Sequence, residues 1–248
     1  MDFKKTLRVM TYNVHSCVGS DGRASTRRIA EVIARYSPDV AALQELDAHR
    51  PRTNGEHQAR DIARRLDMEF HFHPSFEIED EQYGNAILSR YPIKIVRAGA
   101  LPTHGGRRKL EKRGALWAEV RFRGREIQVI NTHLGLKRRE RMAQAEALLG
   151  VAWAEHSSCR APVIVCGDMN SLPVSPVYKR FLARFTDAQS ALNNGRPRGT
   201  YPSLYPLARI DHIFTSPGVE VRDVQIPWTR LTAAASDHLP LIAELKIL

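Results

Sequence analysis

The chain has 248 residues, of which 43% are apolar, so it is long enough for a sizeable core and too apolar for wholesale disorder. Its net charge of +10, from 37 basic and 27 acidic side chains, favours encounters with polyanions but is equally compatible with solubility alone. Three cysteines without regular spacing (Cys17, Cys159 and Cys166) argue against a disulfide framework or a structural zinc site, and no apolar stretch is long enough for a membrane span or a secretory signal.

In chain order, Thr6 to Val14 predicts a strand ending in the polar group Asn13-Val14-His15. Gly19 to Gly22 is a loop. Ser25 then caps a helix with Ile29, Val32, Ile33 and Tyr36 on one face, stopped by Pro38. Asp39 to Leu43 is a short strand ending at Gln44-Glu45, and Ala86 to Leu88 is another. Leu116 to Phe122 alternates apolar and polar residues, and Arg123-Gly124 turns it into a hairpin with Arg125 to Thr132. A helix over 139–156 places Met142, Ala145, Leu149 and Ala152 on one side. Pro162 to Cys166 is a buried strand running into Gly167-Asp168-Met169-Asn170. Ser175-Pro176 opens a helix with Val177, Phe181 and Leu182, and Ile210 to Thr215 and Leu239 to Leu245 are late strands. The pattern is that of an α/β protein with mixed sheets. No linker divides it, so one domain over 1–248 is expected. Its two strand–helix–strand units, with Asn13 32 residues before Glu45 and His133 35 before Asp168, predict a pseudo-symmetric pair of sheets with one polar rim.

Asn13, Glu45, Asn85, His133, Asp168, Asn170, Asp211, Asp237 and His238 all follow or interrupt apolar strands, where α/β folds place their sites. Any one of them alone is ordinarily a turn former, cap or structural residue. Together they suit one task. Carboxylates bind hard Mg²⁺ or Mn²⁺, amides orient water and phosphoryl oxygen without adding charge, and histidines exchange protons near neutrality.

The motifs Thr11-Tyr12-Asn13, Leu43-Gln44-Glu45, Gly84 to Ser89, Asn131-Thr132-His133-Leu134, Gly167 to Asn170, Arg209 to His212 and Ser236 to Pro240 occur in this order. The series resembles the endonuclease/exonuclease/phosphatase superfamily, which includes DNase I, exonuclease III, neutral sphingomyelinases and inositol-polyphosphate phosphatases. It runs from about Leu7 to the C-terminus. The resemblance implies a four-layered α/β sandwich with two mixed β-sheets flanked by helices. It also implies metal-assisted attack of water on a phosphate ester, with Mg²⁺ or Mn²⁺ as cofactor. By motif position, Glu45 is the principal metal ligand, with Asn13 beside it and Asp237 as an additional ligand. Asp168 orients or deprotonates water, Asn170 holds phosphate and water, and His238 is the catalytic histidine oriented by Asp211. His133 stabilises the phosphoryl transition state. Arg113 and Asn85 are substrate-binding, with a contact to His133 as the other reading of Asn85, and His212 lies behind the site. Whether the general base is Asp168 or a His238–Asp211 pair stays open.

His15 and Asn131-Thr132-His133-Leu134 depart from the exonuclease III pattern and resemble small bacterial members and hydrolase-like domains linked to remodelling of glycosylphosphatidylinositol lipids. The expected substrate is therefore a phosphodiester of a lipid or other headgroup. A nuclease is the alternative, because Arg50, Arg52, Arg107, Arg108, Lys109, Lys137, Arg138, Arg139, Arg196 and Arg198 flank predicted rim loops and Tyr201, Tyr205 and Trp228 offer stacking surfaces. A non-catalytic phosphate-binding module ranks last, since the acidic and histidine set is intact. A cytoplasmic location with only peripheral membrane contact is expected. Oligomeric state is not encoded in any motif.

Overall fold

The computed structural model describes residues 6–103, 111–192 and 197–248. Strands are β1 (Thr6–Asn13), β2 (Val40–Ala48), β3 (Glu69–Ile78), β4 (Glu81–Ser89), β5 (Ile93–Ala100), β6 (Gly114–Phe122), β7 (Arg125–His133), β8 (Val163–Asp168), β9 (Thr186–Asp187), β10 (Asp211–Thr215), β11 (Val219–Gln225) and β12 (Leu241–Ile247). Helices are α1 (Thr26–Tyr36), α2 (Gln58–Leu66), α3 (Arg138–Leu149), α4 (Pro176–Leu182), α5 (Ala188–Ala191) and α6 (Arg230–Ala235).

The first sheet has the order β11-β12-β1-β2-β4-β3 and the second β5-β6-β7-β8-β10-β9. Each has one parallel pair at its centre, β1 with β2 and β7 with β8. Parallel neighbours need a long crossover, which α1 and α3 supply. The remaining pairs are antiparallel, in the same sequence in both sheets. The pseudo-symmetry predicted from the two strand–helix–strand units is therefore present in the topology.

The central strands are apolar on both faces, because both faces are covered. Leu7 and Val9 of β1 point between the sheets, where they join Val40, Ile87, Leu116, Val129 and Ile164. Met10 and Tyr12, one residue out of phase, pack with Ile29 and Ile33 of α1 and Ile62 of α2. On the far side, Trp117, Ile130 and Val165 meet Leu148 of α3 and Val177 and Phe181 of α4. Two outer helical layers and two inner sheets make the expected four-layered α/β sandwich. Burying each such Leu, Ile or Phe is worth about 1.5–3 kcal/mol.

Several elements differ from expectation. The helix predicted to run to His156 stops at Leu149, because Gly150 leaves helical geometry. Trp153 and Ala154 still enter the core, from a turn. The strand expected to end at Leu43 continues to Ala48 through a bulge. α2, β3, β5, β9, α5, β11 and α6 are absent from the expected elements. β3, β5 and β11 are edge strands, largely half-exposed in β3 and β11 and mostly exposed in β5, so their apolar alternation is weak. No helix among the described residues is long and apolar enough to cross a membrane.

Candidate active site

The predicted residues gather on one rim shared by both sheets. Asn13, His133 and Asp168 end their strands. Glu45 and Asn85 interrupt theirs, as expected, whereas Asp211, Asp237 and His238 neither follow nor interrupt a strand. Asp211 opens β10, Asp237 and His238 precede β12, and Asn85 lies within β4. Because these strands run antiparallel to their neighbours, their beginnings share the rim with the ends of β1, β7 and β8.

Glu45 owes its position to a backbone irregularity. Between Leu43 and Leu46, β2 spends one more residue than β4 does between Ala86 and Gly84. This bulge puts Glu45 at φ 60°, a strained conformation costing about 1–3 kcal/mol. It leaves the carboxylate reachable from solvent, with the side chain 23% exposed. Opposite, β4 must approach β3 closely: a Cβ on Gly84 would sit 1.9 Å from the His73 carbonyl oxygen.

Asn13 stitches the two sheets together. Its Oδ1 accepts the His15 N–H at 3.0 Å, which turns its Nδ2 toward the carboxylates. That nitrogen donates to Glu45 Oε1 at 2.9 Å and to Asp168 Oδ2 at 3.1 Å. Asp168 Oδ1 accepts the Asn170 N–H at 2.8 Å, a turn closed by Asn170 at φ 46°. Behind the rim, Asn131 Nδ2 donates to the carbonyls of Leu43 and Ala86, and Gln44 Nε2 donates to Asn131 Oδ1 at 2.7 Å. These buried bonds between the sheets hold Glu45 and His133 in mutual register.

His238 Nδ1 lies 2.8 Å from Asp211 Oδ2, and its Nε2 3.7 Å from Asp168 Oδ2. Thr200 Oγ1 also donates to Asp211 Oδ2, at 2.5 Å, and the Tyr201 ring flanks the imidazole at 4.9 Å. Burial pulls the His238 pKa down, but Asp211, then Asp168 and Asp237, outweigh it and push it up to about 10. Burial, reinforced by Asp211, raises the pKa of Asp168. His238 is thus a cation at neutral pH, and Asp168 is a carboxylate readier than usual to accept a proton.

His133 is the opposite case. Burial, with Arg113 and His238 nearby, drives its pKa well below the ordinary value, so it is neutral. Arg113 Nη1 sits 3.0 Å from Nδ1 and can only donate, so Nε2 carries the proton. Asn170 Nδ2, 3.0 Å from that Nε2, is also a donor, so in this tautomer the contact is not a hydrogen bond. The Asn170 amide instead serves the Leu134 carbonyl at 2.9 Å. The His133 proton faces Asp168 Oδ2, 3.5 Å away.

The other predicted residues are more peripheral. Asp237 turns to His15 Nδ1 at 3.0 Å. Asn85 donates to the Gly114 carbonyl at 3.1 Å, next to Arg113, rather than to His133. His212 bridges Asp187 and the Ser171 carbonyl, behind the loop that carries Asn170. Arg52 forks onto buried Asp47, and Arg50 lies between Asp47 and Glu81, so both are committed internally. Arg107, Arg108, Lys109 and Arg196 lie outside the described residues. Thr200 is not singled out by the sequence, Tyr201 only as a stacking surface, and Gln44 and Asn131 only as members of motifs. Only contact across the fold distinguishes them from ordinary loop and strand residues.

A divalent cation fits this donor set. The convergent atoms are hard oxygens with no thiolate. Asp168 is held electrostatically uncomfortable by burial and by Asp211, and Asp211 Oδ1 is buried without a hydrogen-bond partner among the described residues. Ligand atoms of Asp168, Asp211 and His238 lie within 4.8 Å of one another. Asp211 and His238 are already spent on each other, however, so the reachable carboxylate of Glu45, beside Asp168, is the better anchor for an ion.

The chain matches the family model described as "Endonuclease/Exonuclease/phosphatase family" over residues 10–238. It belongs to that family. Members of the endonuclease/exonuclease/phosphatase family are hydrolases acting on phosphate esters and generally use divalent metal ions. The chain is 27% identical over 255 residues to the uncharacterized protein YbhP of Escherichia coli strain K12, covering 98% of this chain and 97% of that one. The human nocturnin catalytic domain with bound sulfate superposes with a TM-score of 0.75 at 24% identity, covering 100% and 97%. A mannosyl-6-phosphatase of Bacteroides thetaiotaomicron gives a TM-score of 0.75 at 22% identity, covering 96% and 99%. Both structural likenesses speak to the fold.

Proposed function

We propose that this family member is a divalent-metal-dependent phosphoesterase that hydrolyses a phosphodiester of a lipid or other headgroup. The observation that carries the reading is the bridge made by Asn13 between Glu45 of one sheet and Asp168 of the other, beside the His238–Asp211 pair. Residues 1–248 are read as one catalytic domain, working in the cytoplasm with at most peripheral membrane contact.

Mg²⁺ or Mn²⁺ held by Glu45, with Asn13 and Asp237 beside it, would neutralise charge on the phosphate. The residues themselves divide the remaining work. Asp168, with its raised pKa, takes a proton from the attacking water, whose oxygen bonds to phosphorus as the bond to the leaving oxygen breaks, and the departing alkoxide takes a proton from solvent water. The electrostatics favour Asp168 over His238 as base, because a histidine held protonated by Asp211 has no lone pair to offer. His238 instead donates from Nε2 to a phosphoryl oxygen, and neutral His133 does the same from its own Nε2. Asn170 holds the water and phosphate next to Asp168, and Arg113 fixes the His133 tautomer. The lipid or headgroup preference is supported by the branch resemblance at His15 and Asn131 to Leu134. The exposed Lys137, Arg138 and Arg139 favour a nuclease as the second reading.

The test is hydrolysis of bis-p-nitrophenyl phosphate, p-nitrophenyl phosphate, plasmid DNA and phospholipid vesicles, with Mg²⁺, Mn²⁺ or EDTA. Asp168→Ala and His238→Ala are the controls. Metal-dependent diester turnover lost in both variants is expected. Turnover of the monoester alone would overturn the diester reading, and preference for DNA would favour the nuclease. A folded protein inert on every substrate would sink the enzymatic proposal.

A further inference from the structure

We infer that the rim around the active site is a docking surface for an anionic phospholipid bilayer. The inference rests on the phosphoesterase reading only for its purpose; the surface is argued from exposure, anchoring and charge. Large apolar side chains are unevenly distributed over the molecule. The loops that leave the rim expose Leu136 (72%), Val174 (79%), Leu204 (54%), Tyr205 (72%), Leu207 (87%) and Trp228 (53%). Among the described residues, the opposite ends of the strands and helices expose only Val151, Leu182 and Leu248. Isolated exposed apolar residues need no explanation, but six of them on four separate loops that leave one rim do.

The most apolar of these loops is held in place. Tyr201 pairs with Ala208 across its base. The Ser203 N–H donates to the Asp237 carbonyl at 2.7 Å, and its hydroxyl to the Ser236 carbonyl at 2.7 Å. These bonds fasten the loop to the segment carrying His238 while its tip, Leu204 to Leu207, stays in solvent. A collapsing loop would bury those side chains, whereas this one presents them. Trp228 lies just before α6, which leads into the same segment.

Exposed cations sit among the apolar residues. Lys137, Arg138 and Arg139 follow Leu136 directly, Arg198 precedes the Leu204 loop, and Arg230 follows Trp228. Trp and Tyr with aliphatic neighbours and interleaved Lys and Arg match a bilayer interface, where rings settle at headgroup depth and cations meet anionic lipid. Nucleic acid would use the cations and the rings, but Leu136, Val174, Leu204 and Leu207 have no flat face to offer a base. With the rim seated on a membrane, a headgroup phosphate reaches the site from the interface.

The test is co-sedimentation of the full chain with phosphatidylcholine vesicles, with and without phosphatidylglycerol, across salt. Hydrolysis of soluble bis-p-nitrophenyl phosphate is measured alongside. Binding to anionic vesicles, weakened but not abolished by salt, is expected. The variant Leu204→Asp/Leu207→Asp/Trp228→Ala should bind at least tenfold more weakly and turn over the soluble diester normally. Three outcomes would each overturn the inference: wild-type protein that ignores vesicles, a variant that binds them equally, or a concentration-dependent dimer abolished by the same variant. Absence of soluble turnover with vesicle binding intact would count against the enzymatic reading while leaving the docking surface standing.

Discussion

Replacing Asp211 with Asn tests whether His238 is held as a cation. Asp211 is fully buried, and one of its oxygens accepts from both His238 and Thr200. The rise of His238 from 6.5 to about 10 corresponds to roughly 5 kcal/mol in favour of the imidazolium. Asp211 is the largest contribution opposing burial. Without its charge, burial prevails and His238 should titrate in the ordinary histidine range or below it. Because the wild-type pKa is raised, the stabilisation is fully present below pH 6.5 and is lost as pH rises through about 10. The stability gap between wild type and Asp211→Asn should therefore be widest in mild acid and narrow toward pH 10, as followed by urea midpoints. Turnover near pH 7 should fall about a hundredfold to ten-thousandfold, the range of a lost acid–base or charge-stabilising contact. NMR titration of the histidine ring signals reads the pKa directly. A wild-type His238 that titrates near 6.5, or a variant whose His238 stays protonated at pH 9, would refute the reasoning.

Other consequences of the same geometry are open to measurement. Asp168→Asn removes a buried carboxylate whose pKa is raised, so the folded state carries a penalty that appears as pH climbs above the unfolded value near 3.8. The variant should be inactive yet more stable than wild type at pH 8 without metal, by about 0.5–2 kcal/mol in denaturant titrations, and this advantage should vanish at pH 3. Mg²⁺ or Mn²⁺ should raise the melting temperature of the wild type, EDTA should reverse the gain, and Glu45→Gln should abolish it; calorimetry in both buffers checks this. Gly167→Ala places a methyl 1.9 Å from the Thr132 carbonyl at φ 143°, so a loss of about 3 kcal/mol or more is expected from urea unfolding.

Much of the site was legible because its residues break apolar strands. A carboxylate after Val163 to Cys166 has few structural reasons to be there, and the same holds for Asn13 and His133. The pairing of β1 with β2 and of β7 with β8 followed from helix-length spacing and strand apolarity. Other features were invisible for physical reasons. The bulge at Glu45 is a mismatch between two strands and leaves no mark in either one alone. The neutral state of His133 depends on Arg113, 20 residues away, and on burial. Thr200 acts through a contact with Asp211 made only after the intervening loop has folded back. α2 was masked by its many charges, since Ile62, Ala63 and Leu66 bury beneath Arg60, Arg64 and Arg65. α6 is only six residues long, too short for periodicity to register.

The position of β12 bears on how the fold comes into being. It pairs directly with β1, with Thr6 opposite Lys246, so the first sheet is completed by strands from opposite ends of the described residues. That final stretch also brings His238. A nascent chain can therefore assemble Asn13, Glu45 and Asp168 without yet possessing the imidazolium or a completed first sheet. Closure of the first sheet and arrival of His238 therefore coincide. The long sequence separation also marks β1–β12 pairing as a slow step of folding.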